Sequence, residues 1–366
     1  NFQMTILLFF GVLFVLKLVH EWGHFITAKK TGMRVDEFGI GFPPKLFGIR
    51  RGETEYTFNL LPIGGFVKIF GEDAAGAAGA ADYERSFIAR PKWAQAVVLV
   101  AGVTMNILFA WFLFAVVLIM GIPTAVDESS ASDAATLVIA DVMEESPAAL
   151  AGIPVGATVT NVTYGQEALA EKTPSAFRVF TETHAGESIT VSYKTGGQDK
   201  TVDVIAVPGL IIDSPEKAAI GVSLTMVEHI KTPVHLALVK AVGMTYDSFV
   251  SISASIFTLL GDTFTLSADM SQVAGPVGIV GLVGDAASFG LASLLMFTAA
   301  ISLNLAIINL LPFPALDGGR LLFVGIEALT RRPINPKWVL RLNTVGFVLL
   351  LALMVAVTWS DISKLI

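Results

Sequence analysis

His20-Glu21-Trp22-Gly23-His24 places two imidazoles four residues apart, with a carboxylate beside the first. On an α-helix, residues i and i+4 project from one face, about 6 Å apart along the axis. Two histidines so spaced can grip one zinc ion, and Glu21 is then placed to take a proton from water. The chain has only five histidines: His20, His24, His184, His229 and His235. In a soluble helix such a match is often coincidence. Here residues 4–16, just before it, carry no charge, and ionisable groups in or beside a bilayer are costly enough to signal function.

A water-activating zinc site takes three protein ligands and leaves one position open. The third is expected far along the chain, in Asn309-Leu310-Leu311-Pro312-Phe313-Pro314-Ala315-Leu316-Asp317-Gly318-Gly319-Arg320. Asp317 follows an uncharged run, residues 291–316. Two prolines loosen the helix before it and two glycines permit close approach after it. Irregular backbone at membrane depth is tolerated where it is buried in protein or lines a wet cavity. The competing reading, an aspartate that merely ends a helix, does not need this setting.

The elements that must hold these groups are membrane helices. The 366 residues are 54% hydrophobic and 15% charged, with a mean hydropathy of +0.70, against about 25% charge in soluble domains. There is no cysteine, so any zinc is held by His, Asp or Glu. The fold class expected is a polytopic α-helical membrane protein with four transmembrane helices, a membrane-associated β-hairpin and one extracytoplasmic α+β domain. The first apolar segment has no basic leader and no small-residue cleavage site, so it reads as a retained helix.

Along the chain, the expected parts are a first transmembrane helix with the histidines (residues 1–27) and a cytoplasmic or membrane-associated loop (28–92). A second span (93–123), a β-rich domain (127–208) and a further segment with a surface helix at 233–261 (209–290) follow. A third span (291–328) and a fourth (338–360) complete the chain. Within the first loop, residues 55–70 read as strand, turn, strand, with Pro62 and Gly64-Gly65 supplying the turn. Residues 74–81, almost pure Ala and Gly, read as a flexible linker. Gly275-Pro276-Val277-Gly278 reads as a turn. In the β-rich domain, strands are expected at 137–142, 158–163, 188–193 and 201–207. Ser146 caps a short helix opened by Pro147, and residues 174–183 form a second.

Charge orients the spans. Residues 28–92 hold 10 Lys and Arg against 8 Asp and Glu, whereas residues 122–235 hold 6 against 15. Arg331, Arg332, Lys337 and Arg341 lie between the last two spans. Basic residues collect on the cytoplasmic side, which puts the first loop and the last link inside and the acidic region outside.

HEWGH in a first membrane helix with NLLPFPALDGG in a later one resembles the site-2 protease family of intramembrane zinc metalloproteases, and more narrowly its bacterial RseP/RasP-like branch. The strings FGIGFPPKL from Phe38, GETEY from Gly52, PIGGFV from Pro62 and GPVGI from Gly275 resemble that branch too. The outside domain, with Ser146-Pro147-Ala148-Ala149 and Ala151-Gly152-Ile153, resembles a PDZ domain. The resemblance implies one catalytic Zn2+ held by His20, His24 and Asp317, with Glu21 as general acid/base. It implies a substrate-holding role for Asn309, while Gly64, Gly65 and Phe66 are candidate substrate contacts. Ala101-Gly102-Val103-Thr104-Met105-Asn106 departs from the family's AGPxxN at Val103, which lowers Asn106 as a site residue.

The function implied is zinc-dependent intramembrane endopeptidase activity in a bacterial inner membrane. Its substrates would be single-pass membrane proteins already trimmed outside, such as anti-sigma factors or signal-peptide remnants. Expected partners are those substrates, the lipid bilayer and a peptide C-terminus at the PDZ-like domain; no nucleic acid is expected. Two other classes compete: a PDZ-based membrane scaffold with a structural zinc site, and a metal-ion transporter. A closed structural site requires a fourth ligand, and transport predicts more polar residues along the spans.

Overall fold

The computed structural model describes residues 2–72, 81–210, 214, 216–264 and 274–364; most of the linker expected at 74–81 lies outside them. Two compact units result, one from residues 1–117 and 234–366, the other from 118–233.

The first unit opens with α1 (Phe2–Lys30), followed by a hairpin of β1 (Val35–Arg51) and β2 (Thr54–Ile69) and then α2 (Lys92–Met120). The hairpin expected within 55–70 is corrected. Those residues are almost all one strand, and the turn lies at Gly52-Glu53. Glycines with positive φ, Gly41 and Gly64, occur inside the ladder rather than between strands. At these strands' length the sheet folds back on itself. Residues 37–40 pair with 55–58 on one side and with 65–68 on the other. The result is four short runs in the order 45–51, 54–58, 35–40, 65–69, with the last an edge among the described residues.

The proximal half of this sheet is anchored. Phe25, Met33, Val35, Phe38, Val98 and Leu99 are buried together, joining the end of α1 to β1 and α2. The distal half is exposed and apolar, with Phe42, Leu46, Phe47, Ile49, Leu60 and Leu61 on its surface.

The second unit carries β3 (Ile122–Val126), β4 (Thr136–Val142), α3 (Pro147–Leu150), β5 (Thr158–Tyr164), β6 (Glu167–Ala168), α4 (Pro174–Thr183), β7 (Ser188–Thr195), β8 (Gln198–Ile205) and β9 (Val222–Ile230). Sheet order is β3-β9-β4-β5-β7-β8, with β6 beside β5. Ser146 accepts a hydrogen bond from the Ala149 amide, and Pro147 opens α3. Thr173 caps α4 in the same way. The boundary expected at 208 is corrected, because β9 lies within the sheet between β3 and β4. Its contribution is non-local: it pairs with residues 80 to 108 positions earlier, which no periodicity reports.

The chain then returns to the first unit with α5 (Val234–Phe264), α6 (Pro276–Ser288), α7 (Leu291–Leu310), α8 (Asp317–Thr330) and α9 (Pro336–Ser363). Helix α5 buries Ala237, Ala241 and Thr245 on one face, and the Trp111 indole of α2 donates to the Leu238 carbonyl at 3.0 Å. The expected turn at Gly275-Pro276 is instead the start of α6, since proline at the first helical position forgoes an amide that has no partner there. The Asp361 carboxylate accepts from the amides of Gly275 at 3.2 Å and Gly278 at 2.8 Å.

The expected third span at 291–328 is corrected to two helices. α7 ends at Leu310, and residues 311–316 turn before α8 begins at Asp317. A Cβ on Gly318 would lie 2.2 Å from the Leu311 carbonyl oxygen and one on Gly319 2.2 Å from that of Phe313. Only glycine lets α8 double back so tightly. Helices α1, α2, α7 and α9 are long and apolar enough to cross a membrane.

Candidate metal centre and active site

α1 presents His20 and His24 from successive turns, and their Nε2 atoms lie 3.1 Å apart. The reversal after α7 brings Asp317 to them. Its Oδ2 is 3.0 Å from His20 Nε2 and 3.3 Å from His24 Nε2. Both imidazoles are buried, and this trio is the His and acid cluster suited to a metal among the described residues.

The donor set fits zinc. The Val98 carbonyl lies 2.8 Å from His24 Nδ1. It accepts only, so Nδ1 carries the proton and Nε2 turns a bare lone pair to the centre. Asp317 Oδ2 is buried and receives no hydrogen bond among the described residues. Ligands about 2.0–2.1 Å from a tetrahedral zinc stand about 3.3 Å from one another, close to the spacing found.

Glu21 sits beside the trio, 8% exposed. The Lys17 ammonium, one turn earlier on α1, pairs with its Oε1 at 2.5 Å and fixes that end of the carboxylate. Both line a cavity of about 240 Å³ with the three donor residues, Phe66 and Asn309. Gly64 and Gly65 do not line it. They sit where β2 crosses α1, and a Cβ on Gly64 would lie 2.7 Å from Lys17 Cγ.

Sequence reasoning missed Lys17, Val98, Gly23 and Gly102; Asn106, which it lowered as a site residue, lies beside His20. A Cβ on Gly23 would lie 2.5 Å from the Ala101 carbonyl oxygen, and one on Gly102 2.4 Å from His24 Nε2. The two glycines let α1 and α2 approach until α2 touches both imidazoles. The signal available was the spacing of Val98, Gly102 and Asn106, four residues apart and so on one helix face.

Outside the apolar helices, the hairpin turn is held by charge. Glu53 meets Arg85 at 2.7 Å and Lys29 at 2.6 Å. The Arg85 guanidinium first, and Lys29 with it, hold the Glu53 carboxyl down at about 2.

In the second unit, β3 reaches only as far as Met226 on β9, so residues 222–225 keep a free edge among the described residues. That edge, with Phe177, Arg178 and Thr181 of α4, lines a groove of about 480 Å³.

Comparison with known proteins bears on the whole chain. A zinc metalloprotease homologue in Clostridium perfringens is 35% identical over 94% of both chains. The zinc metalloprotease RasP of Shouchella clausii is 28% identical over 99% of both. The regulator of sigma-W protease RasP of Bacillus subtilis is 27% identical over 100% of this chain and 99% of that one. Among solved structures, the PDZ domain of an SdrC-like protein from Listeria monocytogenes aligns with 26% of this chain and 92% of that domain, at 18% identity and a TM-score of 0.21. The model of peptidase family M50 matches residues 8–353, and the chain accordingly belongs to that family, as a membrane zinc metalloprotease of the site-2 protease type.

Proposed function

We propose that this metalloprotease is an intramembrane endopeptidase with a single zinc ion held by His20, His24 and Asp317. The observation that carries this reading is the convergence of three donor atoms within 3.0–3.3 Å of one another, next to Glu21 and among helices apolar enough to span a bilayer. Bound zinc supplies a Lewis acid for the scissile carbonyl and acidifies water towards a pKa of about 7. Glu21 accepts the proton of the attacking water and passes it to the leaving amine. Asn309, on the cavity wall, holds the substrate backbone or the developing oxyanion.

A membrane helix hides its peptide bonds, so the substrate must unwind. The 65–69 run of β2 offers an edge for strand addition, and its Phe66 and Val67 reach the cavity wall. Gly64 and Gly65 act by letting the strand bend there. The exposed apolar end of the hairpin suits contact with lipid.

Substrates of this reading are single-pass membrane proteins trimmed outside, anti-sigma factors or signal-peptide remnants among them. The sigma-W function in the Bacillus subtilis relative's name supports the first class. The second unit serves as the PDZ-like domain: its groove beside the free edge of β9 suits an extended peptide C-terminus. The enzyme resides in the bacterial inner membrane, the PDZ-like unit outside, the zinc site towards the cytoplasm, and α5 along the membrane surface.

Glu21→Gln decides the reading. The variant is expected to retain zinc and wild-type melting while losing cleavage of a model single-pass substrate in the same membranes. Cleavage at the wild-type rate would sink it.

A further inference from the structure

The face of α2 that meets the histidines is built at every fourth residue. The Val98 carbonyl takes His24 Nδ1, Gly102 vacates the space the rings occupy, and Asn106 meets His20. Its side-chain amide nitrogen is 3.4 Å from His20 Nδ1. Asn106 is fully buried, and its Oδ1 has no hydrogen-bond partner among the described residues. The position is braced from behind, where Ser302 of α7 donates to the Asn106 carbonyl at 2.8 Å.

Chemistry decides which end of that amide must face the ring. His20 can offer Nε2 to a metal only if its proton is on Nδ1. A proton on Nδ1 needs an acceptor. An amide nitrogen cannot accept, whereas Oδ1 can, and a half-turn of the amide exchanges the two without changing its shape. One amide end lacks a partner in either orientation, so the ring makes the choice. We propose that Asn106 is a positioning residue for the metal centre, its Oδ1 accepting the His20 Nδ1 proton as the Val98 carbonyl accepts that of His24. α2 thereby sets the tautomer of both imidazole ligands, one with its backbone and one with a side chain.

This rests on His20 as a zinc ligand, and the experiment separates the two claims. Full-length protein in detergent is stripped with a chelator, and zinc is titrated in competition with a chelating fluorophore. His20→Ala is expected to lose tight binding; wild-type affinity in that variant overturns the ligand assignment itself. Asn106→Leu, similar in size but unable to accept, is expected to bind zinc about 10–100-fold more weakly. Asn106→Asp keeps an acceptor oxygen in place and is expected to stay within about threefold of wild type, a rescue that a packing role alone would not give. With His20→Ala impaired, the inference is overturned if Asn106→Leu binds like wild type or if Asn106→Asp falls as far as Asn106→Leu.

Discussion

At the scale of single residues, the metal centre depends on absent atoms as much as on donor atoms. Gly102 lies against both imidazoles, and the methyl of alanine would stand 2.4 Å from His24 Nε2 and 2.7 Å from His20 Cε1. Overpacking of this kind costs about 1–3 kcal/mol, and here the strain falls on the ligands. Gly102→Ala is expected to lose zinc and activity together. Gly325, inside α8 with open space around it, is the control: Gly325→Ala is expected to raise stability by about 0.5–1 kcal/mol. Melting curves and zinc content of the two variants check both statements; a Gly102→Ala protein with full zinc would contradict the first. The histidine pair and Glu21 were legible because their geometry is local, set by five consecutive residues of one helix. Asp317 was legible through its Pro and Gly neighbours. Gly102 and Asn106 gain their meaning only when α2 lies on α1, and no window of sequence shows that.

Elements were legible where one pattern held throughout, as in the apolar helices α1, α2 and α9 and in β4, α4, β7 and β8, whereas the third span was drawn past the end of α7 at Leu310. The hairpin was misread because Pro62 and Gly64-Gly65 have the composition of a turn. They are needed instead where a long strand bends, while the true turn at Gly52-Glu53 is marked by its ion pairs. Those pairs make a prediction about pH. An unfolded glutamate titrates near 4.5, and Glu53 in the fold is held at about 2. Its contribution is therefore complete above about pH 4.5 and is lost as pH falls towards 2. The side chain is 29% exposed, so after solvent screening the pairs stabilise the fold by about 1 kcal/mol at most. Glu53→Gln is expected to melt below wild type at pH 7, with the difference closing as pH falls from 4.5 to 2. A gap that stays constant across that range would count against this account.

For the molecule as a whole, the question is which side of the membrane each segment faces. Charge gives one answer: basic residues accumulate in 28–92 and in the link before α9, and acidic ones in 122–235. That answer requires an odd number of membrane crossings between the first loop and residues 118–233. Helix α2 supplies one. The α7–α8 reversal complicates the second half, since the third apolar helix ends at Leu310 and Asp317 must return to the level of His20 and His24. Those histidines lie in the second half of α1, which under this orientation is its cytoplasmic half, so the His20–His24–Asp317 centre, the hairpin and Arg331-Arg332 would belong to one side. The chain contains no cysteine, which makes the test direct. Single substitutions at exposed positions, Glu84→Cys, Glu171→Cys and Arg332→Cys, each provide one thiol for a membrane-impermeant maleimide applied to intact spheroplasts. Glu171→Cys is expected to react at once, and Glu84→Cys and Arg332→Cys only after the membrane is opened. Reaction of Glu84→Cys together with Glu171→Cys in sealed cells would remove the topology and, with it, a metal site facing the cytoplasm.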